Sequence, residues 1–362
     1  MGTSLNISDS KNWLKKGDSP IVISGPCSAE SQEQMHITCN KLAKDKRVDV
    51  IRAGIWKPRT RPGIFEGIGE IGLQWLAEVK ESTGLKTCVE VATPQHIEAA
   101  LKYNIDILWI GARTTVNPFS VQTLADSLKG VDIPVMVKNP LNPDLKLWIG
   151  AFERLNNAGI SKMAAIHRGF HAYDNKPYRN LPMWEIPIEL KQILPQLPLL
   201  CDPSHICGNR ELLANVSQKA LDLSFDGLMI ESHYNPDIAL TDASQQLSPE
   251  SLTAMLDNLV VREEFGTEDF ERKLNLIRNE IDDMDHELLN ILNRRNKKTK
   301  EIGNYKKQHS ITVLQIERLR IMMKERLIYA QDLGLDSNYI NKLLQLVHKE
   351  SIRIQTAIMQ EK

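Results

Sequence analysis

Apolar residues in the first two-thirds of the chain fall into eight short runs, each ending at a charged or metal-binding side chain. The runs are IVISGPCS (21–28), VDVIRAGIW (48–56), KTCVEVA (86–92), IDILWIGA (105–112), IPVMVKN (133–139), KMAAIHRG (162–169), PLLCDPSH (198–205) and FDGLMIESH (225–233). Apolar runs of this length predict strands buried on both faces. Between them, helical patterning predicts helices over 31–46, 67–83, 94–102, 144–158, 208–222 and 248–260. Alternation of this kind predicts an α/β chain folded as a (β/α)8 TIM barrel. Active sites of such barrels lie at the C-terminal ends of the strands. Cys27, Arg52 with Lys57, Glu90, Arg113, Lys138, Arg168, His205 and Glu231 all stand there.

The pattern changes after EEFGTED (263–269). From Phe270 to Lys362 there is no proline, and Gly303 and Gly334 are the only glycines. Helical periodicity predicts three helices, near 270–308, 314–333 and 336–360, with Asp336 as an N-cap and Gly334 as a stop. The expected organisation is a barrel over 1–262, a linker over 263–269 and an all-α domain over 270–362. On the first helix Leu274, Ile277, Ile281, Met284, Leu288 and Ile291 alternate spacings of three and four. That is the period of a coiled-coil seam. A helix of roughly 38 residues is about 57 Å long, too long for two shorter helices to cover. The seam predicts a homodimer or higher oligomer through this domain.

A net charge of −1 over 362 residues gives no basic field for nucleic acid. No apolar run is long enough to span a bilayer, and the first residues lack the apolar stretch of a signal peptide. Five cysteines at irregular spacing predict free thiols in a reducing cytoplasm.

Cys27, His205, Glu231 and Asp242 are expected on one rim of the barrel. One soft, one borderline and two hard donors suit a divalent transition metal such as Mn, Fe, Co or Zn. Cys39, Cys88, Cys201 and Cys207 read as small buried hydrophobes. Six cations share the rim: Arg52, Lys57, Arg59, Arg113, Lys138 and Arg168. Fixed cations this close repel one another unless an anion neutralises them. The set predicts a phosphorylated, carboxylated substrate.

These motifs are recognisable. With GPCS, AGIWKPRT, GAR, VKNP, DPSH and ES…LTDASQQ, residues 20–262 resemble the type I, β-subclass 3-deoxy-D-arabino-heptulosonate 7-phosphate (DAHP) synthases. The resemblance implies metal ligation by Cys27, His205, Glu231 and Asp242. It also implies that Arg52, Lys57, Arg113, Lys138 and Arg168 bind phosphoenolpyruvate. Arg59 and Thr60 of KPRT would hold erythrose 4-phosphate, and Glu90 is a candidate for orienting water. Arg61 stands where the family commonly carries serine.

In the helical part, Arg278, Arg295 and Lys306 flank or continue the apolar seam, and Arg318 lies on the next helix. Ser351 and Gln355 stand one turn apart on the third. Residues 270–358 resemble the all-helical chorismate mutases, with these six residues on the family's substrate positions. The resemblance implies arginines on the two carboxylates of chorismate, Lys306 and Gln355 on its ether oxygen, and a dimer in which one arginine crosses over. Gln315 and Leu319 stand where that family often has Asp and Glu, and two positions of helix turn Glu317 about 200° away. The expectation is a bifunctional enzyme of aromatic amino acid biosynthesis. The alternative is a synthase whose helical domain only binds chorismate or prephenate. In both, prephenate is the expected inhibitor, because only about 20 residues precede the first strand and leave little room for another sensor.

Overall fold

Eight parallel strands close on themselves in sequence order: β1 (Ile21–Gly25), β2 (Val48–Ala53), β3 (Lys86–Val91), β4 (Ile107–Ile110), β5 (Val135–Lys138), β6 (Met163–His167), β7 (Leu199–Cys201) and β8 (Gly227–Glu231). The computed structural model describes residues 5–14, 19–57, 65–263 and 265–361. Outside the strands lie α1 (Gln32–Leu42), α2 (Ile71–Thr83), α3 (Pro94–Lys102), α4 (Ala112–Thr115), α5 (Pro118–Ser127), α6 (Leu145–Asn157), α7 (Glu185–Ile193), α8 (Pro203–Cys207), α9 (Leu213–Asp222) and α10 (Pro249–Asp257).

The strands are shorter than the apolar runs, so most of the candidate site residues sit on the last inward position or in the loop beyond. Four of the barrel helices, α4, α5, α7 and α8, had not been expected. α5 opens on Asn117, whose side chain accepts from Phe119 N and Ser120 N, with Pro118 at the first position. α7 carries Pro187 in its first turn, where a missing N–H costs nothing. The helix predicted from 208 begins at Leu213. Ahead of it α8 ends at Gly208 in the left-handed conformation (φ +70°).

Strand parity decides what reaches the mouth. Side chains alternate faces along a strand. The barrel interior is filled by Ile21 and Ile23, Val50, Cys88, Ile107 and Trp109, Met136, Ala164 and Ile166, Leu200 and Met229. Two residues beyond the last of these on their own strands come Arg52, Glu90, Lys138, Arg168, Asp202 and Glu231. Each therefore shares the inward parity, one layer above the apolar plug. At the opposite end Trp13 and Leu14 close the floor. The intervening residues, among them Ile51, Val89, Leu108 and Val137, face the helices in a separate outer core.

The chain divides into two compact units, Met1–Glu264 and Phe265–Lys362. The second consists of α11 (Glu268–Gln308), α12 (Ile316–Asp332) and α13 (Ser337–Gln360). Thr267 caps α11, and Asp336 caps α13 by accepting from Tyr339 N at 2.7 Å. Gly334, at φ +74°, stops α12 as expected. α11 and α13 approach closely at Gly303, where a Cβ would lie 2.9 Å from Ile358 Cδ1. Burial in this unit follows that contact: Thr299, Gly303, Ile340, Ser351, Ile354, Gln355 and Ile358 are all covered. The N-terminal half of α11 is not. Ile277, Ile281, Met284, Leu288 and Ile291 are 48–64% exposed, so the predicted seam is uncovered within this chain. Among the described residues no helix is long and apolar enough to cross a membrane.

Candidate active sites

The barrel mouth is built from strand ends that sequence places far apart. Cys27 lies just past β1 at a point where backbones crowd. A Cβ on Gly25 would stand 2.1 Å from Arg52 O, and one on Gly54 would stand 2.4 Å from Cys27 O. This explains the glycines of GPCS and RAG. Cys27 N donates to Gln246 Oε1 at 2.9 Å, which holds the backbone that carries the thiol.

Ligand atoms of Cys27, Glu231 and Asp242 all lie within 4.8 Å of one another. His205 Nε2 joins from the Glu231 side, 3.8 Å from Oε1. The ring's other nitrogen, Nδ1, lies 2.8 Å from Asp202 Oδ2, which leaves Nε2 to face the group as the acceptor. Burial, partly offset by Asp202, holds the imidazole below its usual range and hence neutral. Glu231 Oε1 has no hydrogen-bond donor, only the approach of Arg52 Nη1 at 3.2 Å, while Oε2 accepts from Gln245 Nε2 at 2.7 Å. Burial pushes the Cys27 thiol up to about 12, with Glu231 adding to the rise and Lys57 opposing it. Burial also works against ionisation of Asp242, but Arg179 and His205 outweigh it and hold this carboxyl at about 2. Asp242 itself sits at φ +48°, a conformation that Asp tolerates. A thiol, a neutral imidazole with one free nitrogen and two carboxylates fit a divalent transition ion.

The cations surround this group. Lys57 Nζ donates to Cys27 O and lies 3.1 Å from Cys27 Sγ. Arg52, 1% exposed, donates from Nη2 to Cys27 O at 3.0 Å and lies 5.0 Å over the Trp109 ring. Lys138 Nζ pairs with Asp202 Oδ2 at 2.7 Å. Burial would raise the Asp202 carboxyl, yet His205 and Lys138 hold it well below the usual range. Arg168 is buried, and desolvation, with the neighbouring Arg179 and Arg113, lowers it to about 10. A guanidinium this disfavoured marks a place that an anion would relieve. Arg113 is exposed on α4, just past Gly111. Glu90 accepts from Trp109 Nε1 at 3.0 Å, and a Cβ on Gly111 would meet its Oε1 at 2.1 Å. Arg59, Thr60 and Arg61 lie outside the described residues.

Sequence reasoning missed Asp202, Arg179 and Trp109. Asp202 is in the DPSH motif, and its inward parity was a usable signal. Arg179 Nη1 donates to Asp242 Oδ1 at 3.0 Å from a segment without regular structure, so periodicity carried no signal for it. Asp202→Asn is expected to weaken metal affinity about tenfold, the usual cost of losing a ligand's orienting partner. Metal titration of the variant checks this.

The helical unit holds a cavity of about 400 Å³ lined by all three helices. Arg295, Lys306, Arg318, Ser351 and Gln355 meet there. Arg295 Nη1 donates to Ser351 Oγ at 2.7 Å, and Lys306 Nζ to Val313 O at 2.6 Å. Gln355 Oε1 is buried without a donor. Gln315 and Leu319 line the cavity, while Glu317 turns away to pair with Arg320 at 3.3 Å on the surface. Arg278 is not brought to this cavity. It is exposed on the uncovered half of α11, bonded to Asn275 Oδ1.

Each of the two units is similar to known proteins. Residues 5–264 match the model of the DAHP synthetase I family. The chain belongs to that family. Residues 277–356 match the model of chorismate mutase type II. A phospho-2-dehydro-3-deoxyheptonate aldolase of Thermotoga maritima is 31% identical over 238 residues, covering 66% of this chain and 68% of its own. A crystal structure of the DAHP synthase from that organism superimposes with a TM-score of 0.59 at 30% identity, covering 66% of this chain and 67% of that one. A 2-dehydro-3-deoxyphosphooctonate aldolase of Wolinella succinogenes is 25% identical, over 67% of this chain and 99% of its own. The chain is a DAHP synthase fused to a chorismate mutase domain, a bifunctional enzyme of aromatic amino acid biosynthesis.

Proposed function

We propose that the unit up to about residue 262 condenses phosphoenolpyruvate with erythrose 4-phosphate, and that the unit from about residue 270 rearranges chorismate to prephenate. The convergence of Cys27, Glu231 and Asp242 within 4.8 Å, with Arg52 and Lys57 beside them, carries the first assignment. Mn, Fe, Co or Zn held by these residues and His205 supplies Lewis acidity toward an aldehyde oxygen. Arg52, Lys57, Arg113, Lys138 and Arg168 bind the phosphate and carboxylate of phosphoenolpyruvate. Arg59 and Thr60 take the phosphate end of the sugar. C3 of phosphoenolpyruvate attacks the aldehyde carbon, whose oxygen gains a proton. Water adds at C2, and the bond from C2 to the phosphate oxygen breaks, so one water is consumed and one inorganic phosphate leaves. Throughout, the fixed cations balance the anionic groups without reorganising. Glu90, held by Trp109, orients the water.

In the helical cavity Arg295 and Arg318 receive the two carboxylates of chorismate, Ser351 orienting the first, and Lys306 and Gln355 face the ether oxygen. Orientation and charge stabilisation there are what a pericyclic reaction needs. Arg278 comes from a second copy, whose α11 covers the exposed seam in a homodimer. The enzyme works in the cytoplasm. Assaying the whole chain for phosphate release and for prephenate, with and without chelator, tests the two assignments. DAHP formation is expected to need metal and the mutase reaction is not. DAHP formation undiminished by chelator would refute the metal site, and absence of prephenate would reduce the helical unit to a binding module.

Prephenate bound in that cavity lowers synthase activity. Titrated into the synthase assay, it is expected to inhibit the wild type and not Arg295→Ala. Equal inhibition of both, or of neither, would exclude the helical cavity as the sensor. Because the coupling is reciprocal in binding, synthase substrates are expected to shift prephenate affinity by the same factor.

A further inference from the structure

The helical cavity holds more positive charge than the six residues found by resemblance. Besides Arg295, Lys306 and Arg318 it is lined by Lys298, Arg326 and His348, and among the described residues no carboxylate lines it. Helix geometry puts them there. On α12, Gln315, Leu319, Met322 and Arg326 follow one face at spacings of four, three and four. On α13, His348, Ser351 and Gln355 do the same at three and four. Arg326 and His348 therefore extend the two faces already assigned to the ligand.

His348 is half-buried, and its Nε2, like Gln355 Oε1, lacks any hydrogen-bond partner. A buried polar atom without a partner is costly unless something else meets it. The charged groups facing it are Arg295 and Lys306 from α11 and Arg326 from α12. On its own helix the neighbouring Glu350 is occupied by Arg353 at 2.7 Å. Every charge facing the ring from the other helices is thus positive. With Gln315 and Leu319 in place of acids, the ligand's polar groups on that side also lack an acidic acceptor.

We infer that His348 is a further binding group of this cavity, and that its imidazole takes up a proton when a dianion of the chorismate class enters beside Arg326 and Arg295. The inference rests on the reading of this cavity as the chorismate site. Without ligand, burial holds the ring below its usual range, and Arg295, Arg326 and Lys306 add to the effect. An entering dianion cancels the field of these cations and favours the imidazolium. The sign follows. The bound state holds the proton to higher pH than the free state, so affinity rises as pH falls through that interval. The carboxylates of the ligand stay ionised throughout and contribute no slope. Arg326 acts as a fixed charge and adds affinity at every pH.

The test uses the full chain, with chorismate for turnover and prephenate for calorimetry at about pH 6 and about pH 8. Expected for the wild type is about three- to tenfold tighter binding at the lower pH, as a shift of up to one unit allows. Proton uptake is expected as a dependence of the binding heat on the buffer's ionisation heat. His348→Gln keeps a polar side chain that does not titrate. It is expected to abolish both the pH slope and the buffer dependence, with its effect on KM larger than on kcat. Arg326→Met is expected to raise KM about equally at both pH values. Absence of proton uptake by the wild type overturns the inference even if the glutamine variant fails to fold. So does a full pH slope in His348→Gln. Normal turnover without proton uptake removes this role of His348 and leaves the mutase reading intact. Uptake without turnover does the reverse, and no binding of either compound removes both.

Discussion

Cys27→Ala is expected to reduce DAHP formation by well over a hundredfold and to leave prephenate formation within about twofold of wild type. Loss of a mere orienting partner of a metal ligand already costs about 10- to 100-fold. On the proposed reading Cys27 is the soft donor; its Sγ lies 3.5 Å from Asp242 Oδ2 and 3.1 Å from Lys57 Nζ. Burial keeps this thiol protonated in the metal-free protein, near 12, so the thiolate forms only as a cation enters and expels the proton. Alanine leaves two carboxylates and an imidazole, a harder set that holds transition ions less selectively. Metal content after dialysis, measured with both activities, checks the expectation. A wild-type rate of DAHP formation in the alanine variant would mean that Cys27 is only a packed residue under Lys57.

The barrel was legible because its strands are buried on both faces and end abruptly at polar residues. Parity carried the detail. Arg52 follows Val50, Lys138 follows Met136 and Glu231 follows Met229 at the spacing of two that keeps a side chain inside the barrel. What parity cannot convey is contact between loops. Arg179 meets Asp242 across 63 positions of sequence, and Gln246 reaches the backbone of Cys27 across 219. Neither partner lies on a periodic element. α5 was missed although Asn117 and Pro118 form a cap signal.

In the helical unit the three helices and their stops were legible from spacing, Gly334 and Asp336. The positions of Arg295 and Lys306 followed from their continuing an apolar face into a region that α13 covers. Arg278 lies on the same helix, yet the chain alone leaves it on an exposed stretch far from the cavity. Helical period tells which face a residue occupies and not which molecule covers that face. Arg326, two turns past Arg318, and His348, one turn before Ser351, went unnoticed for a related reason: a polar residue at a turn's remove from an assigned one reads as solvated surface until a cavity joins the faces.

Arg295→Ala is expected to lower kcat/KM for chorismate by at least about a hundredfold while leaving DAHP formation, in the absence of prephenate, close to wild type. The guanidinium is half-buried, and burial followed by Arg326 depresses its affinity for its proton, so a carboxylate partner would relieve it. Truncation would leave a desolvated carboxylate without a charge-assisted bond, a loss of about 1.5–3 kcal/mol or more. It would also free Ser351 Oγ, which now accepts from Nη1 at 2.7 Å. That second effect is separable. Arg295→Lys keeps a charge and loses the planar fork. If the guanidinium binds the ligand bidentately, lysine recovers only a small part of the lost rate. If Arg295 serves only to pin α13 through Ser351 Oγ and Val347 O, the unfolding temperature rather than the rate falls in the alanine variant, and lysine restores part of that temperature. Steady-state kinetics and thermal unfolding of the two variants distinguish these outcomes. A wild-type rate in a folded Arg295→Ala protein would show that the arginine merely lays its stem along the apolar seam.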